Sequence, residues 1–284
     1  VLFRSYTDTG LVAEIRYLDE HDALTLQKNG YAVVQRSYDE DGQMISQTYL
    51  DTDQIPVLTA SGYAKMTRAY DDEGHVIREA YYDTAFQPIA STSGYASVLK
   101  AYDEEGRCTH EAWFDPSGLP TAPDNTYCAV QRTYDEFGNT SGILYLSAAL
   151  EPIACLDGYA EIRRTYLASK ALTWEAYFDA DGQSVLGPSG FAARTMELDE
   201  AYRVVYQSYT GTDGQPVIAS AGYAARHIGY DGEGRTIYEA WFGVDGQPMP
   251  VKNTYSAYRR TYDTYGNIAS EFYFDGQDQL IPCQ

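Results

Sequence analysis

The residues with most chemistry to offer are aromatics set beside carboxylates, in Glu111-Ala112-Trp113-Phe114-Asp115 and in Glu239-Ala240-Trp241-Phe242. A flat ring flanked by an acid can stack on a sugar ring while the acid takes its hydroxyl protons, so this pairing points to glycan contact. Tyr81 and Tyr177 occupy the same column, and the expected ligand-binding set is Trp113, Trp241, Glu111, Glu239, Tyr81 and Tyr177. Catalysis needs a constellation that occurs once, held by several elements around a pocket. The four histidines, His21, His75, His110 and His227, lack metal-ligand spacing, and no phosphate-loop or nucleophile-elbow pattern occurs. No catalytic residue, metal or cofactor is therefore expected.

The other carboxylates recur and have plainer roles. Asp39, Asp71, Asp103, Asp135, Asp199, Asp231 and Asp263 supply one acid per turn, whereas calcium takes roughly six to eight oxygens. Each is expected to cap its own turn amides. Glu79, Glu111, Glu175, Glu239 and Glu271 are expected to pair with a basic column at Arg36, Arg68, Lys100, Arg132, Arg164 and Arg260. A ladder of such pairs fixes strand register, because a one-residue slip turns every side chain to the opposite face.

What must position these residues is a repeat of 32 residues. Its first column is Tyr6, Tyr38, Tyr70, Tyr102, Tyr134, Tyr166, Leu198, Tyr230 and Tyr262. A glycine follows four residues later except at Lys170 and Tyr202. Eleven residues beyond the first column lies a second: Tyr17, Tyr49, Tyr81, Trp113, Tyr145, Tyr177, Tyr209, Trp241 and Tyr273. A third runs through Tyr31, Tyr63, Tyr95, Tyr127, Tyr159, Phe191, Tyr223 and Tyr255. Ala64, Met66, Arg68 and Tyr70 alternate as in a half-buried strand. Asp71-Asp72-Glu73-Gly74 then reads as a type I turn with a glycine bulge, and His75 to Tyr82 as the returning strand. A second turn, as in Asp115-Pro116-Ser117-Gly118, leads to a short third strand headed by Pro, as in Pro88-Ile89 and Pro216-Val217. Three strands per unit leave no room for a helix. The predicted fold is all-β: an elongated repeat array, a β-solenoid or spiralled sheet, of about nine three-strand units beginning near 1, 30, 62, 94, 126, 158, 190, 222 and 254.

Two units break the pattern, at Leu167-Ala168-Ser169-Lys170 and Asp199-Glu200-Ala201-Tyr202, and their loops are expected to differ in geometry or mobility. Units also match well at a spacing of 128 residues, as Trp113 with Trp241 and Asp124-Asn125-Thr126-Tyr127 with Lys252-Asn253-Thr254-Tyr255. The cysteines Cys108, Cys128, Cys155 and Cys283 fall at unrelated phases, which argues against a disulfide ladder or zinc ribbon. Cys128 is expected to be buried filler. A formal charge of -21 argues against nucleic acid and anionic membrane surfaces, and no apolar run is long enough to span a bilayer. With no initiator Met or signal peptide, residues 1–284 are read as one tandem-repeat domain, a piece of a longer protein.

The phrase Tyr-Asp-x-x-Gly-Arg, at Tyr102 to Arg107 and Tyr230 to Arg235, resembles the YD repeats of bacterial RHS and teneurin-like proteins. That resemblance implies a long sheet spiralled into a shell or strip on a large secreted or surface protein, with the repeats as scaffolding. The strict period of 32 and the added Tyr-Phe-Asp-x-x-Gly-x-Pro hairpin depart from it. This second hairpin resembles bacterial cell-wall or glucan-binding repeats, without the tandem tryptophans of choline-binding ones. The expected role is an extracellular or cell-surface module that binds cell-wall or host glycan, or a protein ligand, beside other domains of the full-length chain. The alternative is a passive scaffold, spacer or shell segment of a surface protein or toxin.

Overall fold

The computed structural model describes residues 1–251 and 254–281. Lys252, Asn253 and Cys283, named above, lie outside the described residues. The period-two alternation resolves into 18 antiparallel strands among the described residues. In order they are β1 (Leu2–Tyr6), β2 (Val12–Tyr17), β3 (Val33–Tyr38), β4 (Met44–Leu50), β5 (Lys65–Tyr70), β6 (Val76–Tyr82), β7 (Ser97–Tyr102), β8 (Cys108–Phe114), β9 (Ala129–Tyr134), β10 (Thr140–Leu146), β11 (Glu161–Tyr166), β12 (Leu172–Phe178), β13 (Ala193–Leu198), β14 (Val204–Thr210), β15 (Ala225–Tyr230), β16 (Thr236–Phe242), β17 (Ala257–Tyr262) and β18 (Ile268–Phe274). Pairing is sequential. Within a hairpin the register runs as Lys65↔Tyr82 through Ala69↔Arg78 to Tyr70↔Val76, with a bulge before Tyr70. Between hairpins it is shorter, as Arg78↔Leu99, Glu79↔Val98 and Ala80↔Ser97.

Each strand pair is closed as its turn residues dictate. Asp103 N donates to Arg107 O at 3.1 Å and Gly106 N to Asp103 O at 2.9 Å, with Gly106 at φ +75°. That is a type I turn with a glycine bulge, and the Asp103 carboxylate caps it by accepting from Glu105 N at 3.2 Å and Arg107 N at 2.9 Å. The same cap recurs at Asp39, Asp71, Asp135, Asp199, Asp231 and Asp263.

Two expectations are corrected. The turns at Lys170 and Tyr202 keep the common geometry: Lys170 N donates to Leu167 O and Tyr202 N to Asp199 O, each at 2.9 Å, with φ of 67° and 61°. The missing glycine changes strain and not shape, because the neighbouring strands hold the turn. The third strand is reduced to a single bridge, as in Tyr82↔Pro88 and Thr210↔Pro216, supported by one bond from Ile89 N to Tyr81 O at 3.1 Å or from Val217 N to Tyr209 O at 3.1 Å. The same lone bridge forms without proline at Leu18↔Leu24 and Phe178↔Ser184, so the donor that proline lacks is not what limits the ladder.

The chain divides into two compact units, one of Val1–Arg132 with Tyr145–Glu151 and the other of Thr133–Leu144 with Pro152–Gln284. The first holds a small core of Ala32, Val33 and Leu50. The second buries Phe191, Tyr209, Tyr223, Trp241 and Tyr258 against one another.

Candidate functional site

Residues two apart on a strand share a face, so Glu79 and Tyr81, Glu111 and Trp113, Glu175 and Tyr177, and Glu239 and Trp241 stand side by side. The third aromatic column inserts between members of the second. In the first unit Tyr63–Tyr81 centroids are 4.6 Å apart, Tyr81–Tyr95 5.8 Å, Tyr95–Trp113 6.5 Å and Trp113–Tyr127 5.8 Å. In the second, Tyr159–Tyr177 are 4.8 Å apart, Tyr177–Phe191 5.7 Å and Trp241–Tyr255 5.6 Å. These are the separations at which ring pairs attract, so each ring is a neighbour's packing surface. Tyr81 and Trp241 are 8% exposed, while Trp113 and Tyr177 are half-buried.

The acids beside the rings meet the basic column. Arg68 reaches Glu79 at 2.7 Å, Lys100 reaches Glu111 at 3.5 Å, Arg164 reaches Glu175 at 2.9 Å, and Arg260 pairs with Glu271. Arg132 instead bonds back to Glu111 at 3.4 Å, and Arg36 meets the neutral Gln47 at 2.8 Å. Opposite Glu239 the column holds Ile228, and Arg226 supplies the charge at 3.1 Å. Glu175, 6% exposed, is held by Arg164, by Arg194 at 3.3 Å and by the Tyr177 hydroxyl at 3.0 Å. Removing both arginines would leave so buried an acid without a cation, at a cost of about 3–5 kcal/mol. Burial pushes the Tyr177 hydroxyl up to about 12, and the Glu175 carboxylate adds to the shift. Tyr273 is also pushed up to about 12, chiefly by donating to Glu271. Within each compact unit the expected ligand-binding residues thus lie along a seam of packed rings, with their charges already engaged.

A second contact set carries no expectation from sequence. The first-column hydroxyls donate to backbone carbonyls 26 residues upstream, Tyr70 to Met44 and Tyr102 to Val76, at 2.8 and 3.0 Å. The residue after the fourth turn position then covers the next unit's ring. Arg203 lies 4.6 Å from the Tyr230 centroid, Arg235 4.7 Å from Tyr262, and His75 stacks on Tyr102 at 4.7 Å. The signal was the constant phase of Tyr against the residue that follows the turn, a cation at Arg107, Arg203 and Arg235, visible in the alignment of units but silent about direction.

Asp71, Glu73 and His75 place three ligand atoms within 4.8 Å and could hold a metal ion. In the matching turns an arginine fills that role: Arg107 meets Asp103 at 2.7 Å and Glu105 at 2.8 Å, and Arg235 does the same with Asp231 and Glu233. Cys128 is half-buried, with its thiol pushed up by burial, and Cys155 is likewise half-buried.

The fold and seam define a class, an all-antiparallel β repeat array. No protein-family model matches the chain, and no curated protein does. Among solved structures, it is similar to that of TcdB2-TccC3-TEV, at 13% identity and a TM-score of 0.39, over 96% of this chain and 13% of that one. Similarity to the TcdB2-TccC3 structure is at 14% identity and a TM-score of 0.32, over 95% and 16%. Similarity to the Photorhabdus luminescens Tc holotoxin pore is at 13% identity and a TM-score of 0.32, over 95% and 15%. The chain spans less than a fifth of those chains' lengths.

Proposed function

We propose that this chain is a structural scaffold: a non-catalytic, tandem-repeat segment of a longer secreted or surface-displayed bacterial protein, built as nine 32-residue units of the YD type. The observation that supports it is the interleaved aromatic seam. Rings placed 4.6 to 6.5 Å from one another on both sides, next to acids already in ion pairs, are occupied as structure. On this reading the partners are the remaining domains of the full-length chain, and no nucleic acid or bilayer insertion is involved.

Glycan contact through Trp113, Trp241, Glu111, Glu239, Tyr81 and Tyr177 is the second reading, favoured by the partial exposure of Trp113 and Tyr177. One experiment separates the two: Trp113→Ala and Trp241→Ala, measured in parallel for stability and on a glycan array. A scaffold loses stability at both positions and gives a blank array with the parent protein. Array signal in the parent that disappears in a still-folded Trp113→Ala overturns the scaffold reading.

A further inference from the structure

The turn that starts at Asp71 differs from its closest relatives in the residue that follows it. In the turns of Asp103 and Asp231 two carboxylates enclose a guanidinium. Arg107 donates to Asp103 Oδ2 at 2.7 Å and to Glu105 Oε2 at 2.8 Å, and Arg235 meets Asp231 Oδ2 and Glu233 Oε2 at the same two distances. Asp71 and Glu73 repeat that pair of acids, but the residue after the turn is His75. The permanent cation is gone from between the carboxylates. In its place stands a ring that offers a nitrogen lone pair, which arginine cannot do.

The three groups converge. Asp71 spends Oδ1 on the turn, accepting from His75 N at 2.7 Å, which leaves Oδ2 facing His75 Nδ1 at 3.1 Å. With Glu73 included, the three ligand atoms lie within 4.8 Å of one another. A metal held at about 2.0–2.2 Å by carboxylate oxygen and imidazole nitrogen sets its ligands roughly 3–3.5 Å apart. Asp71 and His75 already stand at that separation, and only the exposed Glu73 has to swing inward.

The imidazole is also fixed in advance. It stacks on Tyr102 at 4.7 Å with the ring planes 23° apart, and its Nε2 rests so close to Gly106 that a Cβ there would stand 2.7 Å away. Tyr102 is anchored in turn by donating its hydroxyl proton to Val76 O at 3.0 Å. A ring ordered before binding has little freedom left to lose.

We propose that Asp71, Glu73 and His75 bind one divalent transition-metal ion, of which zinc is the type, with water completing its coordination. The donor set selects the class: an imidazole with two carboxylates suits zinc or nickel, whereas calcium takes roughly six to eight oxygens, more than this turn supplies. The ion returns the positive charge that Arg107 and Arg235 bring to the matching turns. Because the His75 ring lies on Tyr102, the ion also ties this turn to the end of β7 in the next unit. No second histidine takes part, so the spacing between histidines did not point to it. The site lies apart from the aromatic seam and does not rest on the scaffold reading.

The test is calorimetric titration of the metal-free full chain with Zn²⁺, repeated with Ca²⁺, beside imidazole ¹⁵N spectra of the labelled chain. The parent is expected to take up one Zn²⁺ saturably, with the His75 Nδ1 resonance shifted, and to bind Ca²⁺ far more weakly. His75→Arg installs the residue of the matching turns, so it folds, and is expected to lose that site. Glu73→Gln keeps the shape of the turn while removing one charge, and is expected to raise the dissociation constant. Arg107→His makes the converse change beside Asp103 and Glu105, and is expected to add a second site. Absence of saturable Zn²⁺ binding, binding that His75→Arg leaves intact, or Ca²⁺ held as tightly as Zn²⁺ overturns the inference.

Discussion

Replacing Gly106 with Ala tests the turn and the contact between units together. Gly106 sits at φ +75°, where an L-residue costs roughly 1–2 kcal/mol. An added Cβ would also stand 2.7 Å from Nε2 and 3.3 Å from Cε1 of His75, the ring stacked on Tyr102 and held at Nδ1 by Asp71 at 3.1 Å. His75 must move, and losing its stacking costs about 1 kcal/mol more. Gly266 is the control, since it has φ +86° with nothing within 4 Å of its Cβ position. Gly106→Ala is thus expected to cost roughly 2–3 kcal/mol and Gly266→Ala only the backbone part. In His75→Ala/Gly106→Ala the excess should vanish, a coupling of about 1 kcal/mol. Urea unfolding gives the global change, and amide exchange around Asp103–Arg107 gives the local one, which matters because arrays of units need not unfold in two states. Equal costs at Gly106 and Gly266, or no coupling to His75, would refute the reasoning.

The other expectations follow from the same geometry. Lys170→Gly relieves a left-handed lysine at φ 67° and is expected to stabilise by roughly 0.5–1 kcal/mol on urea unfolding, with a loss counting against the strain. Trp241→Ala removes a ring that is 8% exposed and should cost about 3–5 kcal/mol, clearly more than Trp113→Ala at its half-buried site, in thermal unfolding. The Asp199 carboxyl is held below its ordinary value of 3.8 by the Arg203 side chain, and Glu271 below 4.5 by the Tyr273 hydroxyl and then Arg260. Both shifts are downward, so their stabilisation is complete above those ordinary values and is lost as pH falls through the lowered ones; acid unfolding that is insensitive to Arg203→Met would contradict this. Tyr63, Tyr177, Tyr258 and Tyr273 are pushed up to about 12, so their contribution is complete below 10 and lost as pH rises through 12, readable as tyrosinate absorbance that appears together with unfolding.

Much of this architecture is written in the sequence because it is periodic. The alternation of Ala64, Met66, Arg68 and Tyr70 gives a strand, and Asp103 with Gly106 gives its turn, since local sterics decide both. Lys170 and Tyr202 misled because sheet pairing on either side holds the turn against the residue's own preference. Pro88 and Pro216 read as strand starts, yet this position makes only a lone bridge, with proline or without it. The aromatic columns were legible as columns but not as a seam: whether Trp241 faces a ligand or Tyr255 depends on neighbours 14 residues away, which periodicity does not orient.

The most direct test of the structural array is excision of one whole unit, residues 94–125, beside excision of the half-unit 94–109. If neighbour contacts in a 32-residue register hold the fold, the whole-unit deletion joins equivalent positions. Its near-ultraviolet signal and its amide spectrum for the hairpins of β1 to β4 and β13 to β18 should match the parent, while the half-unit deletion loses both around the scar. A whole-unit deletion as damaging as the half-unit one would contradict the account.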